Sequence, residues 1–376
     1  MRLTSDDLAR RTLARQFPAI RGNDAASVLE LFRRLGPIQS QVPRSPFLTV
    51  SSRLPGVDHA TVCALFESHH LLKTSSLRGT VHTSGREHYP WLDAVARRGR
   101  AGAMHSQLGL QRVTPEELTG ELEDFAADDW RARTEIVAHG RRWLSEHESE
   151  ASAAAVTGTF AESLLWGHSG LLRRPKDEHW EKRTDLYHRR ARALVPELGT
   201  PTFAESLTGL VRVYLRSLGP ATRRDLAYFF GTGLGAVDAA VADLGEEILR
   251  FAGPDAEGWL DVAEPPETGS GDPGLRLLPE FDALLVGYHG SHRTRFLTPR
   301  QLDQAWAKVN GQFAPIVLQH GRVVGTWKTA GRGGRSRLEL SVFEGCAAPA
   351  EDELTQPVAA LAAVLNLSIE EVRVQR

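Results

Sequence analysis

Residues 265–282, PPETGSGDPGLRLLPEFD, divide the sequence into two parts of different character. The first ten of these residues are rich in proline and glycine, which predicts a linker over 265–274. From residue 275 to residue 288 the sequence is apolar and strand-like. The segment therefore predicts a boundary between a larger N-terminal part and a smaller β-rich domain.

The sequence after this boundary has the alternating pattern of short strands. Residues 316–327, IVLQHGRVVGTW, place a His-Gly turn between two apolar runs, which predicts a β-hairpin. Residues 337–343 predict one more strand. We expect a small β-barrel at 275–345, followed by a helical tail at 346–376 with its apolar residues on one face.

One signal for the start of a helix recurs on both sides of the boundary. Thr4, Thr114 and Thr222 are each followed three residues later by an acidic side chain, and Thr298 is followed by Gln301. This spacing is typical of a capping box. Between the helices lie short strand-like stretches with glycine turns, such as residues 77–83.

Short helices followed by a small hairpin, repeated along the chain, predict winged-helix modules. We place three of them at 1–112, 113–200 and 201–265. The expected fold class is therefore α+β, with three tandem winged-helix motifs followed by the small C-terminal β-barrel.

Composition excludes several classes of protein. The chain has 376 residues, of which 41% are hydrophobic and 24% charged, as in a globular protein. No apolar run approaches the ~18 residues needed to span a bilayer, and the N-terminal residues lack the apolar core of a secretory signal. Cys63 and Cys346 are too far apart in sequence for a disulfide framework or a zinc cluster. We expect a cytoplasmic protein.

The charge is unevenly distributed although the net charge is only −2. Residues 1–112 carry 16 basic and 8 acidic residues, whereas 113–150 carry 4 and 11, and 276–340 carry 10 and 4. This order favours a polarised molecule with a basic face for phosphates. Ordinary solvated charge explains the same counts equally well.

Gln39-Ser40-Gln41 lies between Pro37 and Pro43. The two prolines disfavour a helix and favour an extended segment. In an extended chain the side chains of residues i and i+2 point the same way, so both carboxamides are expected on one face and Ser40 on the other. The alternative is a pair of polar residues in an exposed loop.

Three blocks of sequence carry a resemblance to a known family. They are LGPIQSQ at 35–41 with LRGTVH at 77–82, YLRSLGPAT at 214–222, and LLPEFD at 277–282 with GRVVGTW at 321–327. In this order and spacing they resemble the AlkZ/YcaQ family of winged-helix DNA glycosylases. The resemblance covers most of the chain, with the middle third matched only in general character.

The resemblance implies a C-shaped protein of three winged-helix motifs and a β-barrel that encloses double-stranded DNA in a basic channel. It also implies excision of N7-alkylated purines, including bulky adducts and, in some members, interstrand crosslinks. Gln39 and Gln41 match the catalytic Gln-x-Gln motif of the AlkZ branch, in which the enzyme protects a producer from its own genotoxic metabolite. The residue between the glutamines is usually aliphatic in this family, and here it is Ser40.

The chemistry fits paired amides. N7 alkylation places positive charge on the base and weakens its glycosidic bond, so the protein needs to hold a water molecule and stabilise charge. Carboxamides can align that water by hydrogen bonds but cannot take its proton at neutral pH. We predict that Gln39 and Gln41 position the water in a monofunctional, cofactor-free DNA glycosylase that acts as a monomer.

Basic side chains in three loops are the candidate DNA contacts. The first is the predicted wing at 77–83, the second is residues 290–295, GSHRTR, which we expect to form a hairpin tip, and the third is the glycine-rich connection at 331–335. The candidates are Arg78, His82, His292, Arg293, Arg295, Lys328, Arg332, Arg335 and Arg337. For each loop the alternative is plain solvated charge, and for His82 it is a buried histidine with its hydrogen bonds satisfied.

Other residues have ordinary structural interpretations. The basic stretch at 171–176 is expected to be solvated, and Trp166, Trp180 and Trp306 are expected in the core. The adjacent pair His69-His70 has no further ligand in its neighbourhood, so no metal site is predicted.

Two other functions remain compatible with the sequence. One is a non-catalytic winged-helix DNA-binding protein such as a transcription regulator, which has no need of paired amides on one face. The other is a diverged member that binds damaged DNA without cutting it.

Overall fold

The structure, a computed structural model, describes residues 2–265, 269, 271–307, 311–332 and 335–375. The helices in these ranges are α1 (Ser5–Gln16), α2 (Ala25–Leu35), α3 (Ser45–Arg53), α4 (His59–Glu67), α5 (Tyr89–Leu108), α6 (Pro115–Phe125), α7 (Arg133–His147), α8 (Glu150–Ala155), α9 (Gly158–Trp166), α10 (Ala191–Leu194), α11 (Phe203–Leu218), α12 (Arg223–Phe230), α13 (Leu234–Leu244), α14 (Ala283–Val286), α15 (Pro299–Ala305) and α16 (Glu351–Leu365).

The strands in the same ranges are mostly short. They are β1 (Ile38–Gln39), β2 (Leu71–Ser75), β3 (Val81–Gly85), β4 (Arg131–Ala132), β5 (Leu171–Pro175), β6 (Asp185–Arg190), β7 (Ala221–Thr222), β8 (Ile248–Ala252), β9 (Gly258–Val262), β10 (Leu275–Leu278), β11 (Trp306–Ala307), β12 (Gln312–Phe313), β13 (Ile316–Gln319), β14 (Arg322–Arg332), β15 (Arg335–Val342) and β16 (Ser368–Gln375). The fold is mixed α+β, as predicted.

All four predicted helix starts are confirmed. Thr4, Thr114, Thr222 and Thr298 are the N-caps of α1, α6, α12 and α15, and each forms a reciprocal capping box with the residue three positions later. Each box satisfies backbone N–H groups that have no partner inside the helix. The spacing of these side chains was therefore sufficient to locate the helices.

A six-stranded antiparallel sheet in the order β1-β3-β2-β5-β6-β4 forms the centre of the N-terminal half. The first three of these strands come from residues before 112 and the last three from residues after it. β2 and β5 are joined by a single residue pair, Thr74 and Leu172. One sheet therefore spans the two segments that the sequence analysis placed in separate modules.

Helix α11 lies at the centre of the largest core. Its buried residues are spaced three and four apart, which gives one apolar stripe; they include Leu207, Leu210, Val211, Tyr214, Leu215 and Leu218. The helix packs against α1, α2, α5 and α13. The Tyr214 hydroxyl donates to the Gly287 carbonyl at 2.8 Å, which connects this core to the C-terminal part.

The C-terminal part contains a five-stranded sheet in the order β10-β13-β14-β15-β16. The predicted hairpin is present as β13 and β14, whose turn places His320 at φ 47° and Gly321 at φ 78°, and β15 matches the predicted last strand. Among the described strands no pairing joins the edge strands β10 and β16, so the predicted closed barrel is not found.

Two details differ from the sequence-based expectations. The strand-like run at 275–288 ends at Leu278 and continues as the short helix α14, because the Asp282 carboxylate accepts the Leu284 N–H and begins a helical turn. The helical tail is present as α16, but β16 follows it and pairs in parallel with β15. The alternation of Val372 and Val374 with charged residues is short and directly follows the helical pattern, so the sequence predicted a helix throughout. The predicted linker falls partly outside the described residues, at 266–268 and 270.

Two buried ion pairs connect the N-terminal helices to later segments. Arg53 and Asp282 are 3.0 Å apart with side chains 1% and 2% exposed, and Arg15 lies 2.7 Å from Asp261. Breaking a buried pair leaves an uncompensated charge in the interior, which costs far more than losing an exposed pair.

We therefore expect Asp282→Ala to lower the free energy of unfolding by about 3 kcal/mol, since Arg53 would remain buried without its counter-ion. Glu344→Ala removes the exposed partner of Arg300, and we expect a change within about 0.5 kcal/mol. Urea unfolding of both variants and the wild type measures the difference. Equal stabilities of the two variants would contradict the importance of the buried pair.

Candidate active site

The predicted extended segment is present only at its start, because Ile38–Gln39 forms β1 and residues 41–42 form a bend. β1 pairs with β3 so that Gln39 lies opposite His82, and the Ser40 N–H donates to the Val81 carbonyl at 2.7 Å. The Gln39 side chain is half-buried, whereas Gln41, just beyond the strand, is exposed. Gln39 is therefore held at an edge of the six-stranded sheet and Gln41 lies just beyond it, with unequal access to solvent.

Ser40 points into the protein and is 1% exposed. Its Oγ lies 2.8 Å from Thr83 Oγ1 and 2.9 Å from the Ile38 carbonyl. The Ser40 hydroxyl can donate to the carbonyl and accept from Thr83, so both hydroxyls are satisfied. This hydrogen-bonded pair occupies the buried position that an aliphatic side chain usually takes in the family.

Arg78 contacts Gln39. Its Nη2 lies 3.4 Å from Gln39 Oε1, Nη1 donates to the Phe229 carbonyl, and the guanidinium stacks on the Tyr228 ring at 5.1 Å. Burial lowers the pKa of Arg78. Because arginine can only donate hydrogen bonds, the contact orients the Gln39 amide with its oxygen towards Arg78. Arg78 thus holds the Gln39 side chain in place from within the protein.

His82 is buried directly opposite Gln39. It is 2% exposed and its Nδ1 lies 3.1 Å from the Thr80 carbonyl. Burial and the neighbouring Arg78 charge lower the pKa of His82 to about 3. The ring is neutral at physiological pH, and its environment matches the buried alternative given above for this histidine.

A cleft of about 500 Å³ opens beside Gln41. One wall is the turn between β2 and β3, from Gly79 to Val81, and the opposite wall includes Ser163, Trp166 and Gly167 near the end of α9. The cleft therefore lies between the first and second segments of the chain. The sequence analysis did not identify it, because its walls are about 85 residues apart.

Four arginines line this cleft, namely Arg100, Arg133, Arg173 and Arg183. The guanidinium groups of Arg133 and Arg173 lie over the Trp166 ring, at 5.2 and 5.0 Å from its centroid. Trp166 was expected in the core, but it is half-buried and supports the arginines at the cleft wall. Arg173 was expected to be solvated, and burial instead lowers its pKa to about 10.

An ion pair lies behind the cleft. Lys73 Nζ on β2 is 2.6 Å from Asp185 Oδ2 on β6, and the Lys73 side chain is 1% exposed. Asp185 lines the cleft, so its carboxylate contributes the acidic oxygen of an otherwise basic surface. Lys73 is buried behind the cleft and forms its ion pair with the Asp185 carboxylate.

The predicted hairpin tip at 290–295 is wrong, because Gly290–Arg295 forms a 3-10 helix packed on the protein. The ring nitrogens of His292 face Asp225 and Asp255, at 2.9 and 3.3 Å. Arg293 is buried and donates to Tyr228, and Arg295 stacks on Tyr288 at 4.1 Å. All three side chains form contacts within the protein. That they contact DNA remains a prediction.

The third predicted basic loop is the turn between β14 and β15, whose residues 333 and 334 lie outside the described ranges. Lys328 and Arg335 are exposed and lie 3.1 and 3.4 Å from Glu339 and Glu370. Arg337 is bonded to Glu339. The Arg332 side chain also lies outside the described residues.

The other expectations have mixed outcomes. Trp180 is buried and stacks on Phe66, as expected for a core residue, while Trp306 is half-buried and stacks on Phe313. Among the described residues no group of histidine, cysteine, aspartate or glutamate could hold a metal ion. No helix in the described part of the chain is long and apolar enough to cross a membrane.

Four buried histidines predict a loss of stability in acid. Burial lowers the pKa of His82 to about 3 and of His88 to about 4, and it lowers those of His168 and His188 well below 6.5. As the pH falls, these histidines become protonated in the unfolded chain before they do so in the folded protein. The free energy of unfolding is therefore highest above pH ~6.5 and decreases at lower pH. Each histidine contributes a loss of about 1.4 kcal/mol per pH unit in that range.

We expect urea unfolding to give a free energy several kcal/mol lower at pH 5.5 than at pH 7.5. His292 acts in the opposite direction, because its two carboxylate partners raise its pKa, but it offsets only part of the loss. An equal or higher free energy at pH 5.5 would show that these histidines are not buried in the neutral form.

Comparisons with known proteins agree with this architecture. A protein described as an interstrand DNA cross-link repair glycosylase, from Streptomyces sahachiroi, is 26% identical over 341 residues, which cover 84% of this chain and 85% of the relative. The solved structure of the Streptomyces sahachiroi DNA glycosylase AlkZ has the same fold, with a TM-score of 0.79 and 20% identity over the full length of both chains. The family model for AlkZ-like DNA glycosylases matches residues 32–364. On this match the chain belongs to the AlkZ-like family of DNA glycosylases.

Proposed function

We propose that this DNA glycosylase hydrolyses the N-glycosidic bond of N7-alkylated purine nucleotides in double-stranded DNA, and that Gln39 and Gln41 position the attacking water. The observation that carries the proposal is that Gln39 ends the edge strand β1 and that Gln41, two residues later, lines a basic cleft. The relative from Streptomyces sahachiroi is named for interstrand crosslinks. We extend the proposed substrates of this chain to crosslinks and other bulky adducts on that basis.

In the proposed reaction the bond between C1′ and N9 breaks, and its electron pair neutralises the cationic base as it leaves. The sugar passes through an oxocarbenium-like state, water adds to C1′, and one proton is released to solvent. The protein therefore supplies position and hydrogen bonds and needs no strong base.

The geometry suggests different roles for the two amides. The Gln39 oxygen accepts from Arg78, so its NH2 group remains to donate to the water oxygen. Gln41 has no hydrogen bond with another described side chain and is exposed, so its oxygen is available to accept a proton of the water. Arg78 is a positioning residue in this scheme.

We also propose that the three helix–hairpin units form winged-helix motifs around a C-shaped DNA channel and that the protein acts as a monomer. The antiparallel pairs β2–β3, β5–β6 and β8–β9, each preceded by helices, support the motifs. Lys328 and Arg335 are suitable for contacts with backbone phosphates, because their own side chains are 69% and 79% exposed and exposed ion pairs contribute little.

The catalytic roles predict large losses in two variants. We expect Gln39→Ala and Gln41→Ala each to reduce single-turnover release of N7-methylguanine from duplex DNA at least about 100-fold, because the water loses a hydrogen bond that orients it. Abasic sites are scored by alkaline cleavage, and DNA binding is followed by fluorescence anisotropy.

Gln107→Ala is the matched control, since Gln107 is an exposed glutamine on α5 outside the cleft. Unchanged release in both motif variants would place the chemistry elsewhere. Tight binding with no release by the wild type, on methylated and bulky substrates alike, would favour a damaged-DNA-binding protein without catalysis.

A monofunctional mechanism predicts that no covalent intermediate forms with an amine. Borohydride reduction during the reaction should trap no protein–DNA adduct, and strands should break only after alkali. Lys73, the lysine behind the cleft, is buried and paired with Asp185, so it is not available to attack C1′. A trapped adduct that disappears in Lys73→Met would overturn this mechanism.

A further inference from the structure

The cleft beside Gln41 is larger than a small lesion requires. Its volume of about 500 Å³ falls within the roughly 300–1,000 Å³ of pockets that enclose drug-sized ligands. A methyl group would occupy only a small fraction of this space. The size of the cleft next to Gln41 therefore favours a lesion with a sizeable group attached to the base.

The cleft also contains buried donors that have no acceptor. Nε of Arg173 and Nε of Arg100 are both inaccessible to solvent and have no hydrogen-bond partner in the described structure. Other atoms of these side chains are fixed, since Arg173 Nη2 donates to Ser75 and Arg100 Nη2 donates to the Ser163 carbonyl at 2.5 Å. Buried polar groups are rarely left unpaired, and among the described residues Asp185 Oδ1 is the one cleft-lining acceptor in the same state, so the unpaired donors outnumber the unpaired acceptor.

The charged residues that line the cleft indicate which kind of ligand it binds. Four guanidinium groups line the cleft, and its one carboxylate, Asp185, is held by Lys73. Arg133 and Arg173 are stacked on Trp166, which fixes their planes before a ligand arrives. A rigid set of guanidinium donors is suited to oxygen acceptors and to negative charge.

We propose that this cleft binds the group attached to N7 of a bulky adduct, and that it selects groups bearing carboxylate or carbonyl oxygens. The inference rests on the proposed glycosylase function, because Gln41, proposed to position the attacking water, lines the same cleft. It adds a substrate class, namely N7 adducts with an oxygen-rich, acidic appendage. The same donors would also suit a backbone phosphate, and the experiment separates the two.

The test compares three duplexes that differ only at one guanine. They carry N7-methylguanine, N7-pentylguanine and the N7-(4-carboxybutyl) analogue, which has similar length but a terminal carboxylate. We expect the wild type to excise the carboxylate adduct at least tenfold faster than the pentyl adduct under single-turnover, subsaturating conditions. Arg183→Gln and Arg133→Gln, both at exposed positions, should each reduce this preference at least threefold.

Arg142→Gln is the matched control, because Arg142 is an exposed arginine on α7 outside the cleft. Equal excision of the carboxylate and pentyl adducts by the wild type would overturn the inference. So would an equal loss on all three duplexes together with a weaker salt dependence in the cleft variants, since that result assigns the arginines to a backbone phosphate. Failure of the proposed function has a different signature, in which the wild type excises none of the three bases.

Discussion

The buried ion pair between Lys73 and Asp185 holds together the two halves of the six-stranded sheet. Lys73 lies on β2 and Asp185 on β6, so the pair reaches across β5, where the direct link between the halves is the single pairing of Thr74 with Leu172. Burying two charges is costly unless each compensates the other. The relative position of the two segments is therefore constrained at this point, and the walls of the cleft beside Gln41 depend on it.

That constraint explains why the candidate site combines residues from distant parts of the chain. Gln39 lies in the edge strand β1 and Gln41 just beyond it, while Trp166 and Arg173 come from the second segment. Ser40 and Thr83 satisfy each other inside the sheet, and Arg78 orients the Gln39 amide from the turn after β2. Gln41 lines the cleft, and two residues earlier the Gln39 amide is oriented by Arg78, so the segment offers hydrogen-bonding groups that can position a water molecule.

Local signals in the sequence predicted much of the fold. The capping boxes at Thr4, Thr114, Thr222 and Thr298, the extended start of the segment between Pro37 and Pro43, and the His320-Gly321 turn depend on contacts within a few residues. The 290–295 segment was predicted wrongly, because its polar residues resemble a solvated tip. Those side chains instead contact Asp225 and the Tyr228 ring, both distant in sequence, and the nearby Tyr288 ring.

The sequence by itself determined the family resemblance, the mixed α+β class, the helix starts and the extended start of the Gln-x-Gln segment, because these depend on neighbouring residues and on ordered motifs. Only the tertiary structure decided which basic residues face a common space. It placed Arg100 and Arg173 beside Gln41, buried His82, and added β16 to the sheet edge. The sequence alone does not show whether a charged side chain is solvated, ion-paired or part of a ligand-binding site. Only its neighbours in the folded structure distinguish these cases.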